Sequence, residues 1–230
     1  MSNVAIITAR GGSKRIPRKN IKNFLGKPIM VYSIEAALQS GLFDEVMVST
    51  DDEEIAEIAR KAGAVVPFMR SEVTANDFAT TAEVVAEVME SYEKLGKHFD
   101  YVCCIYPTAP FVTGEMLHTA MEQLIAEQTD CAIPVVKFSF PPQRCVVKNE
   151  AGRLVPKWPE CMKMRSQDLE PFYHDCGQFY CMKVSSFMQQ RAIWMKEITP
   201  FIQDEMMVQD IDTEEDWKIA EMKYQILHQK

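Results

Sequence analysis

Val4-Ala-Ile-Ile-Thr-Ala9 carries no charged side chain and runs straight into Arg10-Gly-Gly-Ser-Lys-Arg-Ile-Pro-Arg-Lys-Asn20. An apolar run without polar alternation belongs to a strand covered on both faces, and such strands occur in parallel sheets flanked by helices. A central strand that feeds a ligand-type loop restricts the chain to α/β architectures before any other segment is read.

The following segments obey that restriction. Met30–Gln39 reads as a helix, with Pro28 near its start and Gly41 just past its end. Glu45–Ser49 is a second strand. Thr50 or Asp51 is expected to start a helix over Asp52–Ala62, whose acidic first turn suits the positive end of the helix dipole. Gly63 stops it, and Val65–Phe68 reads as a third strand. Arg70–Thr80 is a polar connection on the site side, followed by a helix over Thr81–Leu95 and a strand over Tyr101–Ile105. That strand ends in Tyr106-Pro-Thr-Ala-Pro110, a turn stiffened by two prolines. A helix over Glu115–Glu127 leads to a strand over Cys131–Pro134. The exchange of strands and helices predicts a three-layer α/β sandwich with a mainly parallel sheet, its strand order left open.

After Val136 the rhythm changes. Gln143–Lys148 and Arg153–Lys157 flank Asn149-Glu-Ala-Gly152 as the arms of a hairpin. The Pro-rich, aromatic and basic stretch up to Phe172 is an excursion that reads as a lid, a dimer arm, or both. Gln178–Val184 returns as a strand. Thr213 with Asp216 three residues on resembles a capping box opening a helix to about His228, with Trp217, Ala220, Met222, Tyr224 and Leu227 free to dock. The expectation is one domain over 1–230, with 137–172 inserted.

Charge narrows the ligand. The chain has 25 basic and 33 acidic residues, a net −8, yet no Asp or Glu precedes Glu35 while seven Lys and Arg fall between Arg10 and Lys27. A local basic site in an acidic molecule suits a small anion better than a nucleic-acid backbone. The seven cysteines are irregularly spaced and mostly in apolar runs, as expected for reduced, buried thiols of a cytoplasmic chain. There is no CxxC or HExxH pattern for zinc, no leader-like start and no apolar segment of membrane-spanning length.

In the basic loop, Gly11 and Gly12 allow tight turning and close approach, Ser13 and free amides donate to phosphate oxygens, and Arg10 and Lys14 neutralise charge. The loop matches neither GxxxxGK[ST] nor GxGxxG, and composition alone allows a solvated turn. Its place after the first strand, with Pro17 stiffening it, favours a positioned ligand loop. At the other end, Asp210 and Asp212 are spaced so that on an extended segment both carboxylates face one way and can share a hard cation. By itself such a pair also fits a solvated acidic turn. Asp216 reads as a helix cap rather than a third ligand.

Residues 6–20, together with Val48-Ser-Thr-Asp51, Tyr106–Pro110 and Asp210-Ile-Asp-Thr-Glu-Glu-Asp216, resemble the cytidylyltransferase family that activates nine-carbon acidic sugars such as sialic and pseudaminic acid. The resemblance implies a Rossmann-like nucleotidyltransferase fold and transfer of CMP from CTP to the sugar's anomeric oxygen, with Mg²⁺ as cofactor and pyrophosphate released. It implies that Arg10, Gly11, Gly12, Ser13, Lys14, Lys19, Asn20, Arg70, Thr80 and Thr81 hold the nucleotide and that Asp210 and Asp212 hold the metal. Arg10 and Lys14 are then catalytic in stabilising the leaving phosphates. For the sugar it points to Tyr106, Gln143, Arg165 and Gln178, with Arg165 suited to pair its guanidinium with the sugar carboxylate. Tyr106 stands where sialic-acid enzymes often have glutamine, and Asp175-Cys-Gly-Gln178 is closer to the pseudaminic-acid branch. The implied partners are CTP, an acidic nine-carbon sugar and a second copy of the chain in a homodimer, with no nucleic acid and no membrane. Sialic, legionaminic or an eight-carbon ketosugar acid stay open as acceptors, and a noncatalytic nucleotide- or RNA-binding module is the reading from another class.

Overall fold

The computed structural model describes residues 1–228. In chain order the elements are β1 (Asn3–Thr8), a two-residue ribbon of β2 (Asn23–Phe24) and β3 (Lys27–Pro28), α1 (Ile29–Ser40), β4 (Glu45–Ser49), α2 (Glu53–Lys61), the single turn α3 (Glu72–Ala75), α4 (Thr81–Lys94) and β5 (Tyr101–Ile105). Then come α5 (Gly114–Glu127), β6 (Cys131–Lys137), a hairpin of β7 (Val146–Lys148) and β8 (Leu154–Pro156), β9 (Tyr173–Asp175), β10 (Phe179–Lys183), α6 (Val184–Gln190), β11 (Ile198–Gln203) and α7 (Glu214–His228).

Among the described residues seven strands form the main sheet, in the order β11-β6-β10-β5-β1-β4, with β9 continuing the same edge of β6. β1 pairs in parallel with β4 and β5, and β11 in parallel with β6. Only β10 and β9 run against the others. Val4, Ala5, Ile6 and Ile7 are all fully buried, and the period of two divides them between the layers. Ala5 and Ile7 pack with Met30, Ile34, Leu117 and Met121 of α1 and α5, whereas Val4 and Ile6 pack with Val85, Val88, Met89 and Tyr92 of α4. The expected three-layer sandwich is the observed one.

Helix ends follow local chemistry. Pro28 precedes α1 and Gly41, at φ 64°, closes it in the left-handed conformation that glycine adopts without strain. Asp52, not Thr50 or Asp51, caps α2 by accepting from the Ile55 amide at 3.0 Å. Thr213 and Asp216 do form the reciprocal capping box of α7.

Three expectations need correction. Val65–Phe68 is not a strand: Val65 makes one bridge to Met47, and the chain then leaves the edge of β4 because Pro67 has no amide to continue the ladder. The returning strand, expected over Gln178–Val184, spans Phe179–Lys183 and runs antiparallel between β5 and β6, an exception in the mainly parallel sheet. Cys145 is exposed and Cys161 half-buried, both on the excursion, while the other five thiols are buried. Pro200 within Ile198–Gln203 concealed β11 in the sequence; the strand tolerates it at the edge of the sheet.

Candidate active site

The parallel strands β1, β4 and β5 end at one edge of the sheet, and the chain adds β4 to one side of β1 and β5 to the other. Open α/β sheets bind ligands at such a switch point. A cavity of about 440 Å³ opens there, lined by Thr8, Arg10, Ser13, Lys14, Arg15, Lys19, Asn20, Arg70, Asp77, Ala79, Thr81, Val84, Tyr106, Pro107 and Thr108.

The basic loop forms one wall. Neither Gly11 nor Gly12 turns the chain through a left-handed conformation; Arg18 does, at φ 55°. Gly11 instead lies close to Asp52: a Cβ there would sit 2.9 Å from Asp52 Oδ2 and 3.1 Å from its Cβ, so the Asp52 side chain would have to shift. The Gly11 amide donates to Asp51 Oδ1 at 2.9 Å, and Arg18 is forked over the carboxylate of Asp52. Gly12 faces open space. Asn20 is buried, its Nδ2 donating to the Arg10 carbonyl at 2.9 Å, so the loop is tied back on itself. Arg10 Nη1 meets Asp77 Oδ1 at 2.6 Å, and Lys14 Nζ pairs with the other oxygen of the same carboxylate.

Arg70, in the connection between α2 and α3, also lines the cavity and is held against the end of β4. It is 8% exposed and donates from Nε to Ser49 Oγ at 3.0 Å and from Nη2 to the Ser49 carbonyl at 2.7 Å. Burial pulls its pKa down, and the charges of Asp51 and Glu87 act against that. Thr80 is occupied in the capping box of α4 with Glu83, while Thr81 lines the cavity with its Oγ1 2.9 Å from Tyr106 Oη. The Tyr106 ring stands edge to face against Tyr180 at 5.6 Å. Burial raises both phenols, and Tyr180 donates to Asp175 Oδ2 at 2.7 Å.

The acidic segment reaches the basic loop because α7 docks on it. Trp217 and Tyr224 pack edge to face on Phe24 at 5.5 and 5.6 Å, and Ile16 and Ile211 are buried in the same cluster. This brings Arg15 Nη2 within 2.7 Å of Asp212 Oδ1 and lets Lys19 Nζ donate to the Ile211 carbonyl at 2.6 Å. Asp210 faces a second cavity of about 330 Å³, shared with Lys137, Phe138, His174, Asp175 and Lys223 among others. Loss of water around it and the nearby Asp212 charge push the Asp210 carboxyl above the ordinary range, although the residue still reaches the surface. No cluster of three or more metal-ligating His, Cys, Asp or Glu occurs among the described residues, so Asp210 and Asp212 stand as a pair.

The remaining sugar candidates are dispersed. Gln178 is buried and donates from Nε2 to the Met207 carbonyl at 2.6 Å, with its Oε1 unpartnered. Gln143 is buried within the excursion, its Nε2 donating to the Glu170 carbonyl at 2.7 Å. Arg165 lies exposed on the excursion, paired through Nε and Nη2 with Asp168 at 2.7 and 3.1 Å. Neither Gln143 nor Arg165 lines the cavity of its own chain. Sequence reasoning missed Asp77, Asp51 and Tyr180. The only signal for Asp77 was a carboxylate beside Phe78 in the polar connection already placed on the site side.

This fold and cleft define a nucleotidyltransferase of the α/β sandwich type. The family model described as cytidylyltransferase matches residues 4–157, and the chain belongs to that family. It is 42% identical over its whole length to a pseudaminic acid cytidylyltransferase of Campylobacter jejuni, covering 99% of that protein. It is 33% identical to a CMP-N,N'-diacetyllegionaminic acid synthase of Legionella pneumophila, over 95% of this chain and 94% of the other. Among solved structures it superposes on a CMP:2-keto-3-deoxy-manno-octonic acid synthetase complexed with CTP with a TM-score of 0.69 and 18% identity, over 99% of both chains. That last likeness is one of fold. No helix among the described residues is long and apolar enough to cross a membrane.

Proposed function

We propose that this cytidylyltransferase transfers CMP from CTP to the anomeric hydroxyl of pseudaminic acid and releases pyrophosphate. The observation that carries this reading is the convergence of Arg10, Lys14 and Arg70 around one cleft at the switch point, with Asp212 bonded to Arg15 of that cleft and Asp210 lining a second cavity. The full-length likeness to a protein named for pseudaminic acid supports the choice of sugar. Arg10 and Lys14 stabilise charge on the departing phosphates, Arg70 and Thr81 position the nucleotide, and the Ser13 hydroxyl in the cavity wall supplies a further donor. The sugar lies towards Tyr106, Gln178 and the cavity beside Asp175.

The donor set of Asp210 and Asp212 fits Mg²⁺. Both supply hard oxygen ligands; loss of water and, after it, the Asp212 charge raise the Asp210 carboxyl, and a bound cation would favour its ionised form. When bound, Mg²⁺ would neutralise triphosphate charge and act as a Lewis acid. Arg165 and the excursion over 137–172 serve a neighbouring copy in a homodimer: Arg165 is exposed and does not line its own cleft, and Phe140, Leu154 and Val146 are left exposed on the same segment.

The test is a matrix of CTP, UTP, ATP and GTP against pseudaminic, sialic, legionaminic and the eight-carbon ketosugar acid, scored by pyrophosphate release and product mass. CTP with pseudaminic acid is expected to give the highest kcat/KM. A higher value with legionaminic acid would keep the cytidylyltransferase and reject the sugar. Asp210→Asn with Asp212→Asn should abolish turnover or raise the Mg²⁺ requirement, and a metal titration matching wild type would remove both residues from the metal site.

A further inference from the structure

The two cations assigned to the triphosphate already share one carboxylate of the protein itself, which offsets one of their two charges. Arg10 Nη1 holds one oxygen of Asp77 at 2.6 Å and Lys14 Nζ holds the other, so one carboxylate spans both cations as a phosphate group would. These two side chains keep the Asp77 carboxyl below the usual carboxylate range, and it stays charged at neutral pH.

The segment bearing Asp77 is fastened at both ends but not at its tip. At one end Glu87 accepts from the Ser71 amide at 2.8 Å, from Ser71 Oγ at 2.9 Å and from Thr74 Oγ1. At the other, Thr80 is locked into α4 by its capping box. Between them, Asn76 Oδ1 shapes the turn by accepting from the Phe78 and Ala79 amides, a local contact that moves with the tip. Phe78 is 92% exposed and adds no packing. The contacts from this tip to the basic loop are the ion pairs of Asp77.

We infer that Asp77 is an internal competitor for the polyphosphate: it occupies Arg10 and Lys14 when the cleft is empty, gives way to the nucleotide's outer phosphates, and returns to those cations as pyrophosphate leaves. The inference rests on the reading of Arg10 and Lys14 as the phosphate site. It makes Asp77 a residue that sets affinity for ligands long enough to reach both cations and leaves shorter ones alone. No bond is made or broken in the exchange; one anion replaces another. Because the pairs are solvent-exposed, each is worth little, and losing both should change affinity by about three- to tenfold.

The test uses the full-length protein, with inorganic pyrophosphate, CTP and CMP as calorimetric probes. Asp77→Asn is expected to bind pyrophosphate and CTP about three- to tenfold more tightly, with CMP unchanged and stronger product inhibition by pyrophosphate. Asp77→Glu should return the wild-type values. A merely structural role for the tip predicts weaker or unchanged binding in Asp77→Asn, and either result overturns the inference. The same gain measured in an Arg10→Ala/Lys14→Ala background would also overturn it, because a long-range charge effect persists there and direct competition does not. Failure of wild type and Asp77→Asn alike to bind pyrophosphate would reject the phosphate-site reading, and this inference with it. Equal, measurable binding by the two rejects the inference alone.

Discussion

Asp210 sits where loss of water and the charge of Asp212 both disfavour its ionised form. Its folded-state pKa is therefore above the unfolded value. The stability tied to it is complete below the unfolded carboxylate range, about 3.9, and is lost as pH rises through the raised folded value. Asp210→Asn cannot ionise, so it should melt above wild type at pH 7, with the difference closing as both are moved below about pH 4. Solvent screening at this surface-reaching side chain limits the gain to about 1 °C in Tm. Thermal melts across pH check it, and a Tm for Asp210→Asn below wild type at pH 7 would contradict the assignment of strain. The DxD spacing was legible in the sequence. The strain was not, because it depends on the second cavity that Asp210 shares with Asp175 and His174.

At the scale of elements, α1 and α5 approach so closely that a Cβ on Gly114 would lie 2.9 Å from the Ser40 amide nitrogen and 3.0 Å from its Cα. Backbone cannot yield as a flexible side chain can, so Gly114→Ala should push the two helices apart at a cost of about 1–3 kcal/mol. That corresponds to a drop in Tm of roughly 2–12 °C for a domain of this size, with the circular dichroism spectrum at room temperature unchanged. A Tm within 1 °C of wild type would show that the α1 and α5 junction has slack. Most helices and inner strands were readable because periodicity and caps are local, as with Thr80 and Glu83 on α4 or Thr113 accepting from Met116 on α5. β11 and the direction of β10 were not. Pro200 argues against a strand except at an edge, and antiparallel insertion between β5 and β6 leaves no mark on the five residues Phe179–Lys183.

For the whole molecule, the excursion exposes apolar side chains that its own chain does not cover: Phe140 is 63% and Leu154 66% exposed, Val146 and Val147 are exposed on the strand paired with Leu154, and Met162 is exposed further along the same segment. A dimer formed through this arm predicts that Val147→Asp with Leu154→Asp sediments as a monomer with an unaltered fold. Turnover should fall with dimerisation if Arg165 acts across the interface, and sedimentation velocity with matched kinetics measures both. A double variant that remains dimeric would move the interface elsewhere. The layered α/β plan, the basic loop after β1, the carboxylate pair before α7 and the family are legible in the chain alone, because each is written in neighbouring residues or in a stretch long enough to be distinctive. The fold is what brings Asp77 to Arg10 and Lys14 and sets Gly11 against the Asp52 side chain. Those contacts join residues far apart in the chain, and which distant side chains meet is set by how the helices pack on the sheet.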